Sequence, residues 1–318
     1  MRDARERVEA ALLAAVAADD AFLTEVASHL IRAGGKRVRP LFAVAAAAAG
    51  APSGHTTTDD AVLGGVAVEL VHLGSLYHDD VIDEAVTRRT VESVNARWGN
   101  LTAILAGDFL LAKASEIAAS LGTEVAGLLA ATIGRLCEGE VAELRSAFDV
   151  TRSEAAYLES IRGKTASLFA TACRIGALVG GLPRDAVDAL TSYGESYGMA
   201  FQIVDDVLDV VASEAELGKP AGHDLVEGVY TLPVLFALRT NDALRDRLGR
   251  PLDGVELHDA LVLVRSDGAV SSALDAARAH ADRAITALDA LPDGDATAWL
   301  RAACDALFAR VDTVEATP

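Results

Sequence analysis

Hydrophobic residues recur along this chain at three- and four-residue intervals rather than at alternate positions, and that spacing predicts helices almost throughout. Val8, Leu12 and Val16, then Phe22, Val26 and Leu30, mark two opening helices, the second closed by Gly34-Gly35, a pair suited to a left-handed cap. Leu41 to Ala49 reads as an alanine-rich helix, and GAPSGHTTTDD as a loop in which Thr57 or Thr58 caps the next helix. That next helix, Ala61 to Ile82, is long and apolar. Further helices are expected over LTAILAGDFLLAKASEIAAS, over Gly127 to Phe148, and after a capping box at Thr151 to Glu154. Beyond the break at Leu182-Pro183 come Asp185 to Leu208, Thr231 to Leu238 and a helical tail from Leu257 to Val314. No repeat or linker divides them, so residues 1–318 are expected to form a single all-α domain, a helical bundle with a deep central cavity.

The polar departures from this pattern carry the candidate chemistry. The long helix ends in HDDVID, and a later apolar run ends in FQIVDDVLD, so Asp79, Asp80 and Asp83 share their spacing with Asp205, Asp206 and Asp209. Carboxylates one helical turn apart repel each other and raise one another's pKa unless cations lie between them, and hard divalent ions with oxygen ligands serve that purpose. One such triplet is ordinarily a solvated surface. Two matched copies, each closing a run that should be buried, favour metal, with the cavity expected between the two aspartate helices. His72 lies two turns before Asp79 near its face, whereas His78 is turned aside and reads as structural.

Charge narrows the field. The chain carries 28 basic and 47 acidic residues, a formal −19, which argues against a nucleic-acid binder. Any anionic ligand must then meet local positive groups. Lys36, Arg37 and Arg39 crowd the turn GGKRVRP, Arg88 and Arg89 come just after the first aspartates, Lys164 and Thr165 sit in GKTASL, and Lys219 lies in a Gly-rich loop read as a mobile cover. Asp108 is a polar intruder in its helix, either a partner to the aspartates or a satisfied buried group, and the acidic residues of LCEGEVAEL read mostly as a solvated face. Cys137, Cys173 and Cys304 have no zinc spacing and suit a reducing compartment. With no signal-peptide pattern and no membrane span, a cytoplasmic protein is expected, touching a membrane surface only transiently to release a greasy product.

GGKRVRP, HDDVID followed by RR, GKTASL and FQIVDDVLD, in that order, resemble the all-trans isoprenyl diphosphate synthases, the polyprenyl synthetase family, from about Gly34 to Leu232. The resemblance implies an all-α homodimer that condenses isopentenyl diphosphate with an allylic diphosphate and releases pyrophosphate, using two or three Mg²⁺ ions, with Mn²⁺ as an alternative. It implies metal at Asp79, Asp80, Asp83 and Asp205, with Asp206 and Asp209 completing the second site less directly. It places Arg88, Lys164 and Lys219 on the allylic diphosphate and Thr165 and Gln202 at the reacting centre. Lys36, Arg39, His72 and Arg89 fall to isopentenyl diphosphate, and Arg37 is a basic family position grouped with them. Two departures stand out: Thr90 replaces a glycine common among relatives, and GVYTLP lacks a lysine before Thr231.

Product length is read from the residues below the first cluster. Gly74 and Ser75 lie one turn below Asp79 and Val71 two turns below, all small, where a bulky residue stops growth early in the family. An isoprene unit spans roughly one helical turn, so a medium or long chain of about thirty to fifty carbons, of the kind used for quinone side chains, is expected. A geranylgeranyl or farnesyl diphosphate synthase is the alternative. A terpene cyclase is disfavoured by the second aspartate triplet, and a non-catalytic subunit of a heteromeric prenyltransferase by both triplets being intact.

Overall fold

In the computed structural model, which describes residues 1–50, 57–212, 221–266 and 268–315, the expected helices form with few exceptions. In chain order they are α1 (Arg2–Ala15), α2 (Ala21–Arg32), α3 (Val38–Ala48) and α4 (Asp59–Ile82). A hairpin of β1 (Thr87–Arg88) and β2 (Val91–Glu92) leads to α5 (Val94–Trp98), α6 (Asn100–Ser120), α7 (Thr123–Arg145) and α8 (Glu154–Ile161). Then come α9 (Ser167–Val179), α10 (Arg184–Val211), α11 (His223–Val226), α12 (Leu232–Ala237) and α13 (Asp242–Arg245). The chain closes with α14 (Gly254–Arg265), α15 (Ala269–Ala287) and α16 (Asp295–Glu315).

Two starts show how local sequence sets the boundaries. Thr58 accepts a hydrogen bond from the Ala61 amide at 3.2 Å and caps α4, as expected. The capping box expected at Thr151 to Glu154 is not the cap that forms: Ser153 accepts from the Ala156 amide at 3.1 Å, while Thr151 turns back to Asp149. The hairpin was not anticipated. Its two residues per strand are too short for any alternation of polar and apolar positions to register.

The contacts divide the chain into two compact units. The first comprises Met1–Ile133, Leu168–Thr191 and Ala290–Leu300. Its centre is α4, which packs on α3, α6 and α1. Among the described residues α4 alone is long and apolar enough to cross a membrane, yet Val66, Ala67, Val68 and Leu70 are fully buried here, so its all-round apolar surface belongs to a protein core. Phe42 of α3 stacks edge-on against Phe169 at 5.6 Å and Trp299 at 5.5 Å, tying the later segments of this unit to its first helices.

The second unit comprises Gly134–Ser167, Ser192–Asp289 and the chain from Arg301. α12 packs against α15 and α14, and Tyr193, Tyr197 and Phe201 stack one turn apart along α10 at 6.1 and 6.3 Å. This row leads directly into the second aspartate triplet.

Candidate active site

In the first unit the apolar run of α4 ends at its aspartates. Asp83 caps the helix through its amide, 2.8 Å from the Asp79 carbonyl, which keeps Asp79 and Asp83 on the helix face that also carries His72 and Ser75. Asp80 points about 100° further round and is fully buried. Its Oδ1 accepts from Arg88 Nε at 2.7 Å, and its Oδ2 is buried with no hydrogen-bond partner. Burial pushes the Asp80 pKa up, Arg88 opposes that shift and Asp83 adds to it. Asn95 fixes the turn by donating to the carbonyls of Asp80 at 2.9 Å and Ala85 at 3.0 Å.

The hairpin delivers the arginines. Arg88 pairs with Val91 across it, so Arg89 and Thr90 form a two-residue loop, and both have positive φ, 53° and 66°. Arg89 Nη1 donates to the carbonyls of Leu30, at 3.2 Å, and Gly34, joining this loop to the basic turn after α2. A Cβ at Gly35 would lie 2.9 Å from the guanidinium nitrogens of both Arg37 and Arg89 and would push at least one of them aside.

Arg37 requires a correction. Grouped with the substrate-binding residues, it is instead a buried structural bridge: its guanidinium donates to Glu9 at 2.8 and 3.1 Å, to Glu69 at 2.9 Å and to the Ile31 carbonyl at 2.9 Å. Two carboxylates and a carbonyl occupy the donors a ligand would use. Arg39 remains half-buried with its guanidinium 4.5 Å above the Phe169 ring, and Lys36 is exposed. His72 lies where burial first, then Arg39, Arg89, Arg37 and Arg88, hold its pKa well below the usual imidazole range. It is therefore a neutral ring among guanidiniums.

The residues expected to set chain length separate. Gly74 lies at the crossing of α4 with α6, where an added Cβ would meet the Gly107 carbonyl at 3.1 Å and Leu111 at 3.2 Å. It is a packing glycine, and a large residue there tests the crossing rather than a tunnel. Val71 is buried. Ser75 is half-buried on the Asp79 face and donates to the His72 carbonyl at 2.9 Å. His78 packs on α6 near the Ile104 carbonyl, and Asp108 beside it is exposed rather than buried.

In the second unit the middle aspartate is again the buried one. Asp206 accepts from Gln202 Nε2 at 2.8 Å and from the Tyr157 hydroxyl, and Gln202 Oε1 in turn accepts from Thr165 Oγ1 at 2.7 Å. Burial raises the Asp206 carboxyl to about 7, with Tyr157 and Gln202 opposing and Asp205 and Glu143 adding. Asp205 is exposed. Asp209 is buried and accepts from the Asp224 amide at 3.2 Å, while its carbonyl accepts from the Gly222 amide at 2.8 Å, so it anchors the chain entering α11.

Lys164 stands on a π-helical turn, Arg162–Ala166, between α8 and α9. Its ammonium pairs with Glu140 at 2.8 Å and with Glu143, so α7 carries two functional neighbours where a solvated acidic face was expected. Burial alone would lower the Lys164 pKa, but these carboxylates raise it and keep the charge. Lys219 lies outside the described residues. Tyr157 was missed entirely. Its signal was a lone aromatic two turns before Lys164, which periodicity assigns to the core.

Among the described residues no three His, Cys, Asp or Glu side chains gather closely enough to hold a metal ion alone. Arg88 in one unit and Tyr157 with Gln202 in the other hold the middle carboxylates. The donors nevertheless suit a hard cation. They are all oxygens, the partnerless Oδ2 of Asp80 is among them, and Mg²⁺ typically takes only one or two protein carboxylates and completes its shell from phosphate and water.

The polyprenyl synthetase family model matches residues 20–260. The chain belongs to that family. Nonaprenyl diphosphate synthase of Mycobacterium tuberculosis is 41% identical over 280 residues, covering 86% of this chain and 82% of that one. The crystal structure of heptaprenyl diphosphate synthase from Staphylococcus aureus superposes with a TM-score of 0.92 at 31% identity, covering 97% of this chain and 98% of that one. Geranylgeranyl pyrophosphate synthase from Corynebacterium glutamicum, complexed with calcium and isoprenyl diphosphate, gives a TM-score of 0.85 at 41% identity, covering 98% and 96%. This polyprenyl synthetase is therefore an all-α prenyltransferase of the trans-polyprenyl diphosphate synthase kind.

Proposed function

We propose that this polyprenyl synthetase is magnesium-dependent and elongates an allylic diphosphate with isopentenyl diphosphate to a medium or long all-trans product. The observation that carries the reading is the shared construction of the two aspartate triplets. In each, the middle carboxylate is buried and held by its own partners, while Asp79 and Asp83, and Asp205, are the less buried carboxylates that suit a cation. Bound magnesium supplies charge that stabilises the leaving pyrophosphate.

The chain's own residues do the rest. Arg39, Arg88 and Arg89 gather round His72 and suit a second diphosphate, and His72, being neutral, adds a hydrogen-bonding group without further charge. Lys164, held charged by Glu140 and Glu143, suits the allylic diphosphate. Thr165 and Gln202, locked to each other, present fixed dipoles near the second triplet.

The names of the Mycobacterium and Staphylococcus proteins support a long product, and Ser75, small and on the Asp79 face, leaves room for a growing tail. A geranylgeranyl product is the second reading, favoured by the Corynebacterium structure. A homodimer is supported by one face of α6, where Leu101 is 73% exposed and Leu105 57%.

The test is incubation with Mg²⁺, farnesyl diphosphate and labelled isopentenyl diphosphate, followed by reverse-phase chromatography of dephosphorylated products. Products longer than geranylgeraniol are expected, lost when EDTA is added, and shortened in Ser75→Phe. A wild type that stops at geranylgeranyl diphosphate overturns the long-chain reading, and a Ser75→Phe variant of unchanged product length overturns the place given to Ser75 beside the growing tail. No consumption of isopentenyl diphosphate overturns the activity itself.

A further inference from the structure

A recess of about 370 Å³ opens on the second unit, lined by Arg152, Arg239 and Arg245 together with Ser153, Glu154 and the aliphatic Leu235 and Leu238. Three guanidiniums in one recess are unusual in a chain of formal charge −19. Arg152 is only 7% exposed, its Nε is buried with no hydrogen-bond partner, and its Nη1 makes a single long bond, 3.3 Å, to the Tyr230 carbonyl. Among the described residues it has no ion pair. Arg245 donates to the Leu238 carbonyl and likewise has no carboxylate partner, so only Arg239, paired with Glu154, is neutralised. The Arg152 guanidinium lies 5.5 Å from the Tyr157 ring, and Glu143, Asp206 and Asp149 favour its charge without forming an ion pair among the described residues, so the cost of burial is offset only in part and a bound anion in direct contact would offset more of it.

The rest of the lining agrees. Ser153 receives the Ala156 amide on its Oγ and keeps its own proton to donate, at the N-terminus of α8 where the helix dipole favours negative charge. The nearby Asp149 carboxylate is engaged by the Thr151 amide at 2.8 Å and hydroxyl at 2.6 Å, which turns that charge to a local partner. Leu235 and Leu238 exclude water from one side and so strengthen any charge-assisted contact on the other.

We propose that this recess is a binding site for a phosphate or diphosphate group, separate from the aspartate triplets and needing no metal. The proposal rests on the recess alone and not on the prenyl-transfer reading. Inorganic pyrophosphate in EDTA is the probe, because chelation leaves only metal-independent binding. The melting temperature of the whole protein should rise by about 2–4 °C at millimolar pyrophosphate, the size expected when ligand exceeds Kd about tenfold. The rise should persist in Lys36→Gln/Arg39→Gln, which weakens the basic turn of the first unit. It should vanish in Arg239→Gln/Arg245→Gln, two exposed positions whose loss leaves the fold intact. No rise in the wild type, or an equal rise in Arg239→Gln/Arg245→Gln, overturns the site.

Discussion

The two aspartate triplets have the same spelling and a different physical footing. In the first unit the buried middle carboxylate, Asp80, is held by a cation, Arg88, and one of its oxygens is left over. In the second, Asp206 is held by neutral donors, Tyr157 and Gln202, and both oxygens are used. An arginine opposes the effect of burial on a carboxylate through its charge, whereas hydroxyl and amide donors oppose it only through hydrogen bonds. Arg88 thus offsets part of the rise that burial imposes on Asp80, whereas burial carries Asp206 up to about 7. Their surroundings differ as well. The first is served by a hairpin that carries Arg88 on β1 and has two residues at positive φ in its loop, the second by Tyr157 of α8 and Gln202 of α10.

The largest effect should come from the carboxylates the two triplets have in common. Asp79→Ala and Asp205→Ala each remove an outer oxygen ligand, and each should lower turnover by at least about 10²–10³-fold, the scale of one lost preorganised electrostatic contact. Circular dichroism should be unchanged, because Asp79 is only half-buried and Asp205 is exposed, so neither carboxylate fills space in the core. If only one of the two variants loses activity, the triplets are not equivalent in function and the shared construction misleads.

A smaller and more selective effect separates the middle residues. The folded state raises Asp206 to about 7, above its ordinary value, so between about pH 4 and pH 7 the folded state keeps a proton that the unfolded chain has lost. Stability contributed by the protonated form is therefore lost as pH rises through that window. Asp206→Asn cannot ionise. In EDTA it should gain a few kcal/mol relative to wild type at pH 8 compared with pH 5, measured by urea denaturation. Asp80→Asn should show no such gain, since it strips Arg88 of its counter-charge. Matching pH profiles for wild type and Asp206→Asn would show that Asp206 ionises as an ordinary carboxylate.

How far the sequence reached can be seen at the same residues. Helical spacing located α4 and α10, and a DDxxD at the end of each was enough to point to metal, because one side of each helix had to be buried. The spacing does not say what touches a side chain. Arg37 reads as one more cation in a basic turn, and only the fold brings Glu9 and Glu69 to it from α1 and α4. Gly74 reads as an open position beneath the aspartates, and only the α6 crossing shows that its smallness is for Gly107. Tyr157, Glu140 and Glu143 look like core or surface residues in their own helices, and their connection to Asp206 and Lys164 is purely tertiary. Local patterns record which face a residue occupies. Partners distant in sequence leave no trace in them.

The smallest expected effect tests the hairpin that sets the first triplet apart. Arg89 and Thr90 connect strands of two residues each, with φ of 53° and 66°, and such loops favour glycine or asparagine because a Cβ crowds the following carbonyl in the left-handed region. A β-branched residue is the least suited, and Thr90 offsets little of this through its hydroxyl bond to the Arg89 carbonyl at 2.6 Å. The conformation persists because Arg88 on Asp80, Arg89 on Leu30 and Gly34, and Asn95 on the preceding turn together fix both ends. Thr90→Gly removes the crowding but also loosens the unfolded chain, which takes back part of the gain. The net should be a stabilisation of about 1 kcal/mol, seen as a higher urea midpoint, with the KM for isopentenyl diphosphate unchanged. A variant no more stable than wild type would mean that the partners of Arg88 and Arg89 fix this loop without strain at Thr90. The hairpin would then be as relaxed a support as the helices of the second triplet.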